Sequence, residues 1–378
     1  MKKLTVLAAG FGASLLKRHN VRRIAGLDFD AAPGVFPAVT CVAQASMRTG
    51  LSPLEHGMIS NGAWIDLLRK PLFWEQSAEL VKGPRIWDDR RAAGAKVGMA
   101  FFQQSLGERV DAILSPAPIH KHGGGMIMSV YAKPTELSVE LEKKCGKFPL
   151  WRYWGPLASP KVGRKCIEWF EGMCALSPLD EAYLYLPTLD YAAQKYGPDT
   201  AAGDAAFAEF VRQLESLADW CSREGWELKV AGDYEIVPVT AAPLRPNVLL
   251  RRQGFFRVRE VGGMAYPDFY QSTAFAMCDH EFCVICGERR EEAAERLVAT
   301  GEYEEATLAK GAAPILLARR GSWCEYKWWT SRREAPDFAS HVDIHNKPGY
   351  DPTELFFFGR GTVRGTHGRR RAVAVSSS

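Results

Sequence analysis

Short apolar runs recur along the chain and are separated by longer mixed segments. A run of four to eight apolar residues with turn residues at both ends is typical of a strand that is buried on both faces of a parallel sheet. This pattern predicts four such strands, at residues 4–9, 96–102, 181–186 and 227–231.

The segment between the last two strands has the spacing of an amphipathic helix. Its apolar residues recur at steps of three and four, and they are Phe207, Phe210, Val211, Leu214, Leu217, Ala218 and Cys221. A strand, a helix and a second strand in this order indicate a right-handed parallel crossover. We therefore predict an α/β fold with a mostly parallel central sheet and helices on both faces. Functional side chains then lie at the carboxyl ends of the strands.

Two proline- and glycine-rich segments interrupt this alternation, at residues 107–160 and 239–275. They predict inserted cap segments beside the core. The chain of 378 residues is long enough to bury one large core, so we predict a single α/β domain over residues 1–378.

The first residues allow two interpretations. Met1-Lys2-Lys3 and the apolar residues 4–16 resemble the start of a signal peptide. However, the basic residues Lys17-Arg18-His19 follow at once, with no small-residue cleavage pattern before them. The run at 4–9 therefore favours a buried strand that ends in a turn at Gly10, and the signal peptide stays open as an alternative.

Composition limits which binding partners and which cellular compartment we expect for this protein. The net charge is +4 with 24% charged residues, which gives no basis for nucleic-acid binding. No stretch is long and apolar enough to suggest a membrane span. Nine cysteines scattered over a long chain do not resemble a compact disulfide framework. We expect reduced thiols and a cytoplasmic protein, and the oligomeric state stays open.

The segment from Pro37 to Gly62 carries the strongest candidate chemistry. Thr40 follows a loop and begins a helix-like run, which Thr-Gly-Leu-Ser-Pro ends at residues 49–53. The N-terminus of a helix offers free backbone N–H groups to an anion such as phosphate. A lone threonine at that place is most often only a helix cap, so the position alone does not decide its role.

The complete string resembles the nucleophile segment of the type I phosphodiesterase/nucleotide pyrophosphatase family, in a divergent bacterial subgroup of the alkaline phosphatase superfamily. The matched features are Thr40, the motif Thr-Gly-Leu-x-Pro-x-x-His-Gly from Thr49 to Gly57, and Asn61. The resemblance implies an alkaline-phosphatase-like fold. It also implies that Thr40 attacks phosphorus, that Asn61 binds a phosphate oxygen, and that the substrate is a small phosphorylated molecule.

The same family holds two zinc ions with residues that follow its strands. By resemblance, Asp190 after the strand at 181–186, Asp233 after the strand at 227–231, and His367 in Gly-Thr-His-Gly match metal-binding positions. Gln194 stands where the family has a histidine and would be a weak neutral oxygen ligand.

Two further positions depart from the family pattern. Tyr234 replaces a second histidine and is kept as an auxiliary candidate, and Ala9 replaces an aspartate. Zinc prefers three or four nitrogen, sulfur or charged oxygen ligands, so two well-filled zinc sites are not expected. The expectation is a divalent metal, zinc by resemblance, in one or two sites. Magnesium, manganese or no metal are the alternatives.

Two more segments supply auxiliary candidates. Asp279 and His280 are candidates for an extra ligand or an acid/base pair. The cysteines around them, at 278, 283 and 286, match the spacing of an iron–sulfur loop but lack its glycine-rich surroundings. His345, four residues after His341, is a candidate because its segment resembles a stretch found in the same subgroup.

Three functions agree with these residues. The favoured one is a metal-dependent phosphodiesterase or nucleotide-pyrophosphatase-like hydrolase with a threonine nucleophile, which acts on phosphoric esters or anhydrides. The second is a pseudoenzyme that binds a phosphorylated ligand, and the missing carboxylate at Ala9 is its best support. The third is a phosphoryl-transfer enzyme repurposed for a biosynthetic pathway. The sequence does not specify the substrate.

Overall fold

The computed structural model describes residues 1–123, 126–154, 157–262, 264–331, 334, 363–369 and 372–377. Within these residues the α-helices span Ala13–Arg18 (α1), Thr40–Thr49 (α2), Pro53–His56 (α3), Asp88–Ala92 (α4), Glu136–Cys145 (α5), Val162–Leu176 (α6), Asp190–Tyr196 (α7), Ala201–Glu224 (α8), Pro246–Arg252 (α9) and Arg290–Val298 (α10). Short 3-10 helices lie at Asp66–Leu68, Ala78–Leu80 and Leu150–Arg152.

The strands of the described residues are Lys2–Ala8 (β1), Arg23–Ile24 (β2), Leu27–Pro33 (β3), Gly62–Ile65 (β4), Lys70–Phe73 (β5), Val97–Ala100 (β6), Ala112–Ser115 (β7), Ile119–His120 (β8), Met126–Ile127 (β9), Tyr131–Lys133 (β10), Glu181–Leu186 (β11), Trp226–Gly232 (β12), Val237–Pro238 (β13), Val258–Val261 (β14), Met264–Pro267 (β15), Phe275–Asp279 (β16), Phe282–Cys286 (β17), Tyr303–Glu305 (β18), Ile315–Ala318 (β19), Gly365–Thr366 (β20) and Ala372–Ser377 (β21).

The main sheet has the strand order β10-β7-β6-β11-β1-β12-β21-β3-β2. Its middle, from β7 to β12, is parallel, and the outer strands pair antiparallel. The four predicted strands are β1, β6, β11 and β12, and the predicted helix is the core of α8. The α/β prediction with a mostly parallel central sheet is therefore confirmed.

Strand β1 lies at the centre of this sheet, between β11 and β12. Its apolar side chains explain the position, because Leu4 and Val6 are fully buried. In the pairing register Ala8 lies opposite Leu186 of β11 and Gly232 of β12, so the three strands end side by side. The strand interpretation of the first residues is confirmed, and the loops after these three strands share one edge of the sheet.

A second sheet, with the order β16-β17-β19-β18, is antiparallel and has its own core. Strands β16 and β17 are buried at every residue. The reason is that helices α9 and α10 pack against these strands, and their core also includes Val39 and Val42 at the start of α2.

Of the two segments predicted as caps, parts lie in the main sheet and parts lie outside it. Strands β7 and β10 place parts of 107–160 in the main sheet, and β8 and β9 form a separate hairpin. Segment 239–275 contains α9 and the hairpin of β14 and β15. The division into one domain with caps stays a prediction. Among the described residues no helix has both the length and the apolar character that a membrane span requires.

His56, in the His-Gly pair of the motif, joins α3 to α2. Its Nδ1 accepts a hydrogen bond from the Met58 N–H at 3.1 Å, so the Nε2 proton points to the Ser46 hydroxyl at 2.9 Å. The side chain is fully buried. Burial, with the nearby Arg48 charge, lowers the pKa of His56 from 6.5 to about 4. The ring is therefore neutral in the folded protein and has a structural role.

This depressed pKa predicts a loss of stability in mild acid. The unfolded chain takes up the proton near pH 6.5 and the folded chain only near pH 4, so stability falls as the pH drops through this window. The shift corresponds to about 3 kcal/mol. Urea unfolding at pH 7 and pH 4 should show that His56→Gln loses less stability than the unchanged protein. Equal losses in the two proteins would contradict the assignment.

Candidate active site

The site is built on the loops that follow β1, β11 and β12. Ala9 and Gly10 follow β1, Asp190 begins α7 after β11, and Asp233 follows β12. Gly10 has a φ of +69°, a left-handed conformation that favours glycine, and its N–H donates to Asp233 Oδ1 at 2.9 Å. The strand ends that the sequence analysis selected thus lie together at one edge of the sheet.

Thr40 is the first residue of α2. The residue before it, Val39, is extended and is the cap position, and it makes no side-chain capping bond. Thr40 is therefore not the cap residue of α2. Instead its Oγ1 lies 3.1 Å from the hydroxyl of Tyr234. That hydroxyl also donates to Asp190 Oδ1 at 3.1 Å.

Asp190 is enclosed by hydrogen-bond donors. Gln194, one turn later on α7, donates from Nε2 to both carboxylate oxygens at 3.0 and 2.9 Å. Burial raises the pKa of Asp190 to about 6, and the bonds from Gln194 and Tyr234 oppose this rise. Gln194 thus presents its amide N–H groups, rather than an oxygen, to the carboxylate.

Asp233 is saturated in the same way. Its Oδ1 accepts from the N–H groups of Gly10 and Tyr234, and its Oδ2 accepts from the Tyr185 hydroxyl at 3.0 Å. Burial, with the neighbouring Asp190, raises the pKa of Asp233 well above its ordinary value. Sequence reasoning missed Tyr185. It is the penultimate residue of β11, so the same strand-end rule that selected Asp190 could have found it.

His367 is held by the chain segment that precedes Thr40. Its Nδ1 lies 2.9 Å from the Ala38 carbonyl, and because a carbonyl only accepts, Nδ1 carries the proton. Nε2 is then a lone pair; it is buried, has no hydrogen-bond partner among the described residues, and lies 3.9 Å from Asp190 Oδ1. Burial lowers the pKa of His367 to about 3, so the ring is neutral.

Three aromatic rings stack across the site. The ring of Tyr234 lies parallel to that of His367, with centroids 3.8 Å apart and planes 3° apart. His280 packs on His367 with a centroid distance of 3.6 Å, and its backbone is left-handed with φ +58°. Tyr234 is fully buried. The tyrosine that replaces a family histidine is thus a packed part of the site.

Asn61 is fixed beside the start of α2. Its Oδ1 accepts from the Cys41 N–H at 3.0 Å, and its Nδ2 donates to Asp279 Oδ1 at 2.9 Å. The other oxygen of Asp279 accepts from the Asn61 N–H at 2.6 Å and from the Ser60 hydroxyl at 2.8 Å. Asp279 therefore orients Asn61, a contact that the sequence did not reveal.

The remaining candidates are less involved. Asp279 Oδ1 and His280 Nε2 are 3.7 Å apart. Cys278 and Cys283 pair across the two strands, whereas Cys286, three residues further along β17, faces the other side. This alternation opposes an iron–sulfur cluster on the three cysteines. The nine cysteines are free thiols. His341 and His345 lie outside the described residues.

The donor set does not fit two zinc ions. Both carboxylates already accept hydrogen bonds from N–H and phenol donors on both of their oxygens. The side chain of Ala9, buried after β1, has no ligand atom. Within the part of the chain that the structure describes, no three histidine, cysteine, aspartate or glutamate side chains are grouped to hold an ion. Among the candidate ligand atoms of the described site, the His367 Nε2 lone pair has no hydrogen-bond partner and is available to a ligand.

The fold and this edge cluster define a protein of the alkaline-phosphatase-like α/β class. The model of the type I phosphodiesterase/nucleotide pyrophosphatase family matches residues 4–351. The chain belongs to this family, whose members generally use divalent metal ions. No curated protein sequence matches the chain significantly.

Solved structures with the same fold include two related groups. Murine ectonucleotide pyrophosphatase/phosphodiesterase 5 is 15% identical with a TM-score of 0.59, over 100% of this chain and 88% of that one. An inactive threonine-to-alanine variant of it, in complex with AMP, has a TM-score of 0.58 at 15% identity over the same shares. Phosphonoacetate hydrolase from Sinorhizobium meliloti 1021, in complex with phosphonoformate, is 14% identical with a TM-score of 0.60, over 100% and 89%. At these identities the likeness shows the fold.

Proposed function

We propose that this protein is a hydrolase of small phosphorylated substrates with Thr40 as its nucleophile. The observation that carries the proposal is the position of the Thr40 hydroxyl. It stands at the first residue of the ten-residue helix α2, within hydrogen-bonding distance of Tyr234 and next to the Asn61 amide. Family membership supports phosphoryl chemistry as the class of reaction.

The first step forms a bond from Thr40 Oγ1 to phosphorus while the bond from phosphorus to the leaving oxygen breaks. Asn61 uses its Oδ1 and one N–H for Cys41 and Asp279, which leaves the second N–H of Nδ2 for a phosphate oxygen. The N–H groups in the first turn of α2 other than that of Cys41, together with the helix dipole, stabilise the same negative charge. Water then attacks the phospho-threonine and frees the hydroxyl.

The lone pair of His367 supports a ligand of this kind. Its Nε2 is a buried acceptor that points toward the Asp190 side of the site. A water molecule or a protonated phosphate oxygen is a suitable donor for it. The structural neighbours were solved with AMP, phosphonoformate and phosphonoacetate, so we propose a small phosphate or phosphonate ester as the substrate class.

The test is chemical trapping of the intermediate. The purified protein is incubated with p-nitrophenyl esters of a phosphomonoester, a phosphodiester and a phosphonate, and is then quenched in acid. We expect release of nitrophenolate, and a gain on the peptide that contains Thr40 of the mass of the transferred group, which is a phosphoryl group from the monoester, an esterified phosphoryl group from the diester and a phosphonyl group from the phosphonate. Turnover without any modification of that peptide, under conditions that trap a burst, would exclude the nucleophile assignment.

A ligand-binding protein is the second candidate, and the buried Ala9 in place of an aspartate favours it. It shares the anion-binding helix start with the hydrolase but lacks the chemical step. Calorimetric binding of AMP or phosphonoacetate in the absence of any ester turnover would support this candidate over the hydrolase.

A further inference from the structure

We infer that Tyr234 replaces the metal ion that activates the nucleophile in this family, so that Thr40 is activated by a hydrogen-bond chain and not by a cation. The chain runs from Thr40 through the Tyr234 hydroxyl to Asp190, with both contacts at 3.1 Å. The inference rests on the proposed role of Thr40 as nucleophile. It adds a catalytic residue and a statement about metal dependence.

The direction of these two hydrogen bonds follows from the fact that a phenol has a single hydrogen to donate. The Tyr234 hydroxyl donates this hydrogen to the Asp190 carboxylate, which has none of its own in its ionised form. The Tyr234 oxygen can then only accept from Thr40, so the Thr40 hydrogen points away from the lone pairs that attack phosphorus. This arrangement orients the hydroxyl for attack and provides an exit for its proton.

The place of the cation is taken by protein groups. A metal ion on Thr40 would draw its other ligands from the positions of Ala9, Asp233 and Tyr234. Ala9 has no donor atom, both oxygens of Asp233 are satisfied, and Tyr234 is stacked on His367 and fully buried. Withdrawal of the phenol would break the stack on His367 and would remove one of the two hydrogen bonds that Asp190 Oδ1 accepts, the other coming from Gln194 Nε2.

The step balances without a further reagent. Thr40 Oγ1 forms the bond to phosphorus and releases its proton to the Tyr234 oxygen, while the phenol passes its own proton to Asp190 Oδ1. The electron pair of the cleaved bond leaves with the ester oxygen. Attack by water on the phospho-threonine later returns the hydroxyl to Thr40, and Asp190 loses its proton to the departing product or to solvent.

The first test removes the hydroxyl and keeps the ring. Tyr234→Phe retains the stack on His367, so we expect unchanged folding, a KM close to that of the unchanged protein, and a kcat lower by about 100-fold or more. Tyr183→Phe is the matched control. Tyr183 is also a buried tyrosine, but it lies within β11 and its hydroxyl donates to Glu181, the first residue of that strand. An undiminished kcat in Tyr234→Phe would overturn the inference.

The second test measures metal directly. After treatment with a chelator and gel filtration, we expect the protein to keep its turnover and to show no stoichiometric zinc binding in calorimetry. The triple variant Ala9→Asp, Gln194→His, Tyr234→His restores the family's ligand types and should gain zinc affinity. Zinc binding of equal strength in both proteins, or turnover that chelation abolishes and zinc restores, would overturn the inference.

The two proposals fail in different ways. If Thr40 is not a nucleophile, no phosphoryl group is trapped on its peptide with or without metal. If only the metal-replacement inference is wrong, phospho-threonine still forms, but its formation requires zinc. The zinc titration can be read even for a protein without turnover, because it reports binding and not activity.

Discussion

Replacing Thr40 by alanine is expected to abolish turnover while the protein still binds a phosphorylated ligand. The change removes the only atom that forms the bond to phosphorus in the proposed reaction, so kcat should fall by about 10⁴-fold or more. The ligand contacts of Asn61 and of the α2 N–H groups do not depend on the hydroxyl. Calorimetry with AMP and a chromogenic ester assay would measure both effects in one preparation.

Thr40→Ser is the matched control for this variant. Serine keeps a hydroxyl at the start of α2 and loses only a methyl group, so we expect activity within about tenfold of the unchanged protein. Thermal unfolding should be similar for the two variants. Substantial turnover in Thr40→Ala, with the same substrate preference as the unchanged protein, would move the nucleophile to another residue.

Replacing Asp279 by asparagine is expected to lower kcat by about 100-fold without a comparable change in substrate affinity. The Asp279 carboxylate accepts from the main chain and the side chain of Asn61. An amide at this position turns one acceptor into a donor that faces N–H groups, and Asn61 then loses its orientation toward the phosphate. Loss of one oxyanion contact costs about 10²–10³ in rate.

A double-mutant cycle separates this positioning role from a general structural one. Asn61→Ala removes the proposed contact with the phosphate oxygen directly. If Asp279 acts through Asn61, the double variant should be no slower than Asn61→Ala alone. Effects that multiply would show that Asp279 influences the reaction by another route, and equal losses of thermal stability and rate would indicate simple unfolding.

Much of the framework could be predicted because local sequence determines it. Apolar runs and helical spacing located β1, β6, β11, β12 and α8, and the strand-end rule directed attention to Asp190 and Asp233. Thr40 was predicted at a helix start because it follows a loop and begins a helix-like run, and α2 begins at this residue. These inferences depend on residues that are close together in the sequence, or on the rule that parallel strands end at the same edge of a sheet.

The contacts that define the proposed chemistry were not predictable, because they join residues that are far apart in the sequence. Asp279 is 218 residues from Asn61, and Thr40 is 194 residues from Tyr234. No local pattern reports which side chains meet after two sheets have packed together. From the sequence, Tyr234 could be described only as a tyrosine at a position where the family has a histidine. That its ring would stack on His367 while its hydroxyl bridged Thr40 and Asp190 depends on the complete fold.

The start of helix α2 lies between the two sheets. Val39 and Val42 pack into the core of the smaller sheet, and the same sheet provides Asp279 for the orientation of Asn61, whereas Thr40 meets groups on the main sheet. The smaller sheet therefore helps to hold the proposed nucleophile and Asn61 in position. Partial denaturation that loosens this sheet alone would abolish the proposed activity while most of the secondary structure persisted. Inactivation would then be an earlier sign of heat damage than any spectroscopic melting curve.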